Sequence, residues 1–299
     1  MVKLIIDTDL GGDSDDVGAL SLAHNMMNLG YADLLAVTTC SSACYSAVTV
    51  KWINEIYGHG DIPVGVNRQR AWMEDIKVNA YSYPLSQEYL SSHPEPEFDS
   101  SLDLLRRTLA GNTDVKIVTI GTLNNIADLL RSGPDGISPL SGKELVSHSV
   151  SSFYIMGGEF TDPSFAEYNI QCDIESSRYV SENCPVPIVY SGFEFGQNVY
   201  TGINLGKDDK TNPLYRAYRI VSDNIKWELP VRDSWDPITV YAAVMDGIDR
   251  ENFEKVSNLK ISFSEEGCAC VAQGGSDSYL KLLCSNEKMR DILDGYIHI

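Results

Sequence analysis

Positive charge is scarce in this chain. Its 299 residues include 23 lysines and arginines against 42 aspartates and glutamates, a formal charge of −19. Nucleic-acid binding needs a basic footprint, and docking on anionic lipid needs a basic patch. No nucleic acid and no membrane is therefore expected among its partners. Long apolar runs are also missing. Stretches such as Leu34–Val37 fall far short of the ~20 residues that span a bilayer. The opening Met1-Val2-Lys3-Leu4-Ile5-Ile6-Asp7 lacks the basic start and long apolar middle of an export signal. Cysteine is sparse and unpatterned: seven residues, an odd number, with no CxxC. Cys268-Ala-Cys270 is too tight for a zinc knuckle. Free thiols in a reducing cytoplasm are the expectation. Repeats and low-complexity tracts are absent. The rest is ordinary globular composition, 43% hydrophobic and 22% charged.

A strand-then-helix alternation runs along the chain. Lys3–Ile6 reads as a strand and Asp16–Leu29 as a helix, with Val17, Leu20, Ala23 and Met27 at helical spacing. Leu34–Thr38 and Ala47–Tyr57 repeat the pair, and Asp61–Gly65 reads as a strand entering a loop. Residues 67–98 show many tyrosines and little periodicity, which suggests an irregular insertion or lid. The alternation resumes with Leu102–Leu109, Val115–Ile120, Asn124–Leu130, Phe153–Met156, Ile174–Glu182 and Pro187–Tyr190. Helices are expected at Leu214–Trp227 and Pro237–Met245. The tail is expected to hold β-like stretches at Leu259–Phe263 and Cys270–Ala272, then a helix near Asn286–Leu293. This pattern predicts an α/β fold with an open, mostly parallel sheet and helices on both faces. Length alone would allow two domains at about 150 residues each. The alternation, which resumes after the 67–98 stretch, instead favours one α/β domain over residues 1–299, with an elaboration over about 247–299. In such sheets ligands bind beyond the carboxyl ends of the strands.

The sharpest feature stands at such an end: Asp7-Thr-Asp9-Leu-Gly-Gly-Asp13-Ser-Asp15-Asp16, five carboxylates within ten residues. Like charges this close raise one another's pKa unless a cation joins them, and a hard divalent ion with oxygen ligands is the natural partner. The bland alternative is that Asp13, Asp15 and Asp16 only cap the following helix. An EF-hand fails, because its twelfth position falls on Gly18 rather than Glu. A haloacid-dehalogenase-like phosphatase would want Thr where Gly11 stands. Metal-assisted hydrolysis, in which one Asp accepts a proton from water, fits better.

Two later segments bear on the choice. In Ala166-Glu167-Tyr168-Asn169, an extended backbone would turn Glu167 and Asn169 to one side, where they could meet sugar hydroxyls. In Arg232-Asp233-Ser234-Trp235-Asp236-Pro237, Asp236 is expected to open a helix with Pro237 at its first position. The order of acidic cluster, Met156-Gly157-Gly158, Glu-x-Asn and Trp-Asp-Pro resembles the nucleoside hydrolases, the inosine/uridine-preferring and purine-preferring ribohydrolases. The resemblance runs from about Lys3 to Asp246.

That resemblance implies a Ca²⁺-dependent enzyme that hydrolyses the N-glycosidic bond of ribonucleosides, with a small-molecule nucleoside as substrate. It implies assembly as a homo-oligomer, dimer or tetramer. By the same resemblance Asp9 is metal ligand and general base, Asp16, Asp236 and the Ile120 carbonyl complete the metal set, and Asp15, Glu167 and Asn169 bind ribose. Trp235 would stack on the base, helped by Trp72 or a tyrosine of the 67–98 stretch. Pyrimidine-accepting members often carry His-Asp where this chain has Trp235-Asp236, and none of the five histidines adjoins a motif. Trp-Asp resembles the purine-preferring branch. An Asn that often follows the second strand is replaced by Thr39-Cys40-Ser41-Ser42-Ala43-Cys44. Two other readings stand beside this one: a non-catalytic nucleoside or sugar binder on the same fold, and the phosphatase.

Overall fold

A computed structural model describes residues 1–41, 43–68, 80–206 and 209–298. Its frame is a ten-stranded sheet. The strands are β1 (Val2–Thr8), β2 (Ala32–Thr39), β3 (Val64–Val66), β4 (Asp99–Ser100), β5 (Val115–Ile120), β6 (Val150–Met156) and β7 (Ile188–Ser191). A two-stranded ribbon, β8 (Tyr200–Thr201) and β9 (Arg232–Asp233), stands apart, and β10 (Phe253–Phe263), β11 (Ala269–Gln273) and β12 (Asp277–Leu282) rejoin the main sheet. The order is β11-β10-β12-β7-β6-β5-β1-β2-β3-β4, parallel from β4 through β12 and antiparallel only where β10 meets its two neighbours.

Alternation along β1 shows why helices cover both faces. Leu4 and Ile6 join one apolar layer, while Ile5 joins the other. All three are fully buried, as the near-continuous hydrophobic run of a two-sided strand requires. The chain leaves β1 toward β2 and returns on β1's other side as β5, so the strand order reverses between β1 and β5. Ligand crevices open at such points, beyond the strand ends. Thr8 aligns with Ile120 there.

Several expectations need correction. Within the 67–98 stretch, Ser82–Leu90 is a helix. Leu85 and Tyr89, one turn apart, bury its inner face, and Pro84 is tolerated in its first turn. The strand expected at Asp61–Gly65 begins only at Val64, after a turn. A helix at Gly142–Ser149 was not anticipated, although Ser141 and Glu144 form a reciprocal capping box. The last strand, β12, was also missed; it lies parallel to β7 and carries the C-terminal strands onto the main sheet.

Candidate active site

The helix Asp15–Asn28 starts directly after the acidic loop, with Ser14 at its N-cap and no side-chain capping bond. Asp13, Asp15 and Asp16 are therefore not spent on capping. Asp15 and Asp16 are buried in its first turn, at the positive end of the helix. Asp16 accepts a hydrogen bond from Thr8 Oγ1. Asp236 is buried in the first turn of the helix Trp235–Met245, and its backbone N–H donates to Asp15 Oδ2 at 3.2 Å. That helix starts at Trp235, one residue before the expected opening at Asp236, and its N-cap is Ser234. Pro237 thus sits third rather than first. The two helix starts face each other, and carboxylate oxygens of Asp15, Asp16 and Asp236 all lie within 4.8 Å of one another.

Asp9 lines the same cavity without belonging to that trio. Its close neighbour is the turn after β5: a Cβ on Gly121 would stand 2.8 Å from the Asp9 nitrogen and 2.8 Å from Cys40 Sγ. Only glycine lets the ends of β1 and β5 approach this closely. Ile120, buried at the end of β5, also lines the cavity. Asp7 lies beneath it, fully buried. Asp7 Oδ1 accepts from Thr38 Oγ1 at 2.5 Å and from Asn125 Nδ2 at 2.6 Å, and its Oδ2 has no hydrogen-bond partner among the described residues.

Glu167 and Asn169 reach the cavity by a different route from the one expected. Glu167 is the N-cap of a short helix, Tyr168–Cys172, and Asn169 lies within it, so the pair is not an extended stretch. The Glu167 carboxylate takes N–H bonds from Asn169 at 3.0 Å, Ile170 at 3.1 Å and Gly158 at 3.3 Å. Gly158 makes the turn after β6 with a φ of 83°, a conformation that favours glycine. Asn169 Nδ2 is held by Met156 Sδ at 3.1 Å. Trp235 forms part of the wall, its ring stacked on Phe193 at 5.2 Å and its Nε1–H donated to the Phe193 carbonyl at 2.9 Å. Trp72 lies outside the described residues.

Sequence reasoning gave no role to Arg232 and left Asp13 without a partner. Here the two form an ion pair across 219 residues of chain, with Nε–Oδ1 and Nη2–Oδ2 both at 2.7 Å. Both line the cavity, as do Tyr168, Phe193 and Asn224. Nothing local in the sequence could have joined Asp13 to Arg232.

The cavity measures about 480 Å³, within the range of small-molecule sites. Its electrostatics are extreme. Burial, then charge from Asp13, raises Asp15 well above the ordinary carboxylate range, against the pull of Arg232. Burial, then Asp9 and Asp15, does the same to Asp16, and burial, then Asp15 and Asp16, to Asp236. Asp9 is raised to about 7, mainly by burial, with Asp13, Glu167 and Asp7 adding to it. Glu167 is raised to about 7 by burial, which its N–H bonds partly offset. Three buried, mutually repelling carboxylates with converging oxygens fit a hard divalent cation. Among the described lining residues Arg232 is the one cation, and no histidine is present.

The chain's fold recurs in solved structures. A plant nucleoside hydrolase superposes with a TM-score of 0.74 at 20% identity, covering 99% of this chain and 98% of its own. An inosine-guanosine nucleoside hydrolase gives 0.71 at 18% identity, covering 99% of both chains. The type III effector protein XopQ, solved in complex with adenosine diphosphate ribose, gives 0.71 at 15% identity, covering 99% of this chain and 92% of its own. At these identities the likeness is one of fold. A sequence search against curated proteins finds no match. The sequence profile of the inosine-uridine preferring nucleoside hydrolases does match, over residues 4–277. With nearly the whole sheet and every wall of the acid-lined cavity inside that match, the chain belongs to the inosine-uridine preferring nucleoside hydrolase family and is a nucleoside hydrolase.

Proposed function

We propose that this protein is a Ca²⁺-dependent, purine-leaning ribohydrolase that converts a ribonucleoside and water to ribose and free base. One observation carries the reading: a single cavity brings a trio of buried carboxylates, a further acid at Asp9, the Glu167–Asn169 pair and the Trp235–Phe193 wall together. Asp9, Asp16, Asp236 and the Ile120 carbonyl would hold the cation. An all-oxygen ligand set with several carboxylates suits Ca²⁺. The bound cation supplies positive charge that favours a hydroxide-like nucleophile and orients ribose hydroxyls.

The rest is work for the chain's own groups. Asp9, on the cavity wall beside the trio, takes the proton of the attacking water. Asp15, Glu167 and Asn169 position the ribose, and orientation of this kind is worth several kcal/mol, on the order of 7–11 at best. The surrounding carboxylates favour the positive charge that develops on the sugar as the glycosidic bond lengthens. Trp235 and Phe193 give the base an apolar wall, wider for a purine than a pyrimidine needs. The setting we propose is cytoplasmic purine salvage by a homo-oligomer, dimer or tetramer.

The effector with bound adenosine diphosphate ribose favours a second reading, a non-catalytic binder of a nucleotide sugar. Charge argues against it. Among the described lining residues one cationic side chain stands against six carboxylates. A diphosphate would meet net repulsion. A panel of inosine, guanosine, adenosine, uridine, adenosine diphosphate ribose and a simple phosphate ester decides between the readings. The proposal expects reducing sugar from the purine nucleosides first. Binding without sugar release would favour the binder, and phosphate release the phosphatase.

A further inference from the structure

We propose that Arg232 is the leaving-group residue of this site, donating a hydrogen bond to the base as the glycosidic bond breaks. The assignment rests on the ribohydrolase reading above and adds to it a donor that reading lacks. When the bond from the anomeric carbon to the base nitrogen breaks, its electron pair goes to the base. Something must stabilise that charge, and among the described residues no histidine lines the cavity. Tyr168 and Asn224 are neutral donors on the wall. Among the described lining residues Arg232 is the one charged donor.

Its guanidinium is held from several sides. Nε and Nη2 bond Asp13 and Nη1 bonds Asp233, all at 2.7 Å in their shortest contacts. The guanidinium carbon lies 4.7 Å from the Trp235 ring and 5.7 Å from the Trp227 ring. Two carboxylates and two indoles thus restrict its swing, so little ordering remains to be done when a base arrives. A guanidinium has five N–H groups. Among the described residues these bonds use three, leaving two. The side chain keeps 17% of its surface exposed. A pure latch between the loop after β1 and strand β9 would need neither the spare donors nor a place on the cavity wall.

The step balances without moving Arg232's own proton. Water's oxygen bonds the anomeric carbon, one water proton goes to Asp9, and the electron pair of the broken bond stays on the base. Solvent returns a proton to the base, while Arg232 remains charged throughout because guanidinium does not deprotonate in proteins. A preorganised donor of this kind contributes about 10²–10³ in kcat.

An activated leaving group separates this role from a structural one. p-Nitrophenolate departs from p-nitrophenyl β-D-ribofuranoside without needing a hydrogen bond. Arg232→Met should therefore lose about 100-fold in kcat on inosine and less than about threefold on the aryl riboside. Arg232→Lys keeps a charged donor without the planar fork, so it should fall between wild type and Arg232→Met on inosine. Its aryl-riboside rate also serves as the check on folding. Parallel losses on both substrates, in both variants, would make Arg232 a latch and overturn the assignment; so would an unchanged inosine rate in Arg232→Met. A wild type that hydrolyses neither substrate would overturn the ribohydrolase reading itself, and this assignment with it.

Discussion

Asp9 sits where the ends of β1 and β5 converge, with Asp7, Asp13 and Glu167 all adding to its proton affinity. As the general base it has no substitute among its neighbours in this account, because the trio is committed to the cation and the ribose. Asp9→Asn should lower inosine turnover by about 10²–10⁴ or more, since it removes the base and a metal ligand together. Circular dichroism should show an intact fold; a loss under tenfold with calcium still bound would remove Asp9 from the role. Trp235 is a different case. Its ring already carries Phe193 and Arg232, so it serves the base partly through what it holds. Trp235→Ala should reduce inosine turnover more than uridine turnover. Equal damage on both, or a wild-type preference for uridine, would reduce the residue to packing.

Gly121 matters as part of an element rather than as a side chain. A methyl there would overlap the Asp9 backbone and Cys40 Sγ. Gly121→Ala should therefore push β1 and β5 apart at their ends, costing about 1–3 kcal/mol of stability. Chemical denaturation measures that cost, and inosine kinetics should show an added fall in kcat. A variant as stable and active as wild type would contradict the close approach. At this scale much was legible in advance. β5 appears at Val115–Ile120 as read, because a β-branched run bounded by turn residues has few alternatives. The helix Ser82–Leu90 was hidden because its apolar residues are few and tyrosines dominate the stretch. The Glu167 N-cap was hidden too. Two residues at spacing two look extended, and only the Asn169 and Ile170 N–H groups donated to the carboxylate reveal a helix start. The acids themselves were readable as a cluster. Their junction with Asp236 and the Asp13–Arg232 pair depends on how the sheet folds, and no local pattern encodes it.

Across the whole molecule, acid sensitivity should arise away from the cavity. His24 is fully buried. Its Nε2 meets Asn54 Oδ1 at 2.9 Å and its Nδ1 meets His59 Nδ1 at 2.9 Å. The Asn54 carbonyl can only accept, so Nε2 carries the proton and Nδ1 accepts from His59. Burial, with His59 nearby, lowers the His24 pKa to about 4. The unfolded chain then binds the proton first as pH falls. Stability from this group is complete above about pH 6.5 and is lost progressively as pH drops toward about 4, by up to ~3 kcal/mol. Urea midpoints at pH 7.5 and 4.5 should show a smaller acid loss in His24→Gln than in wild type. An identical loss in both would mean His24 does not titrate this way.

The seven cysteines are free thiols and no helix of the described residues is long and apolar enough to cross a membrane. Neither feature competes with the chemistry at the sheet's end, and the most direct test lies there. Inosine hydrolysis should be followed by reducing-sugar release in protein stripped with a calcium chelator, then reconstituted with measured Ca²⁺. Turnover should vanish on stripping, return as one equivalent per chain is added, and rise no further beyond it. An undiminished rate in excess chelator, or no ribose from any nucleoside once calcium is restored, would contradict a calcium-dependent ribohydrolase.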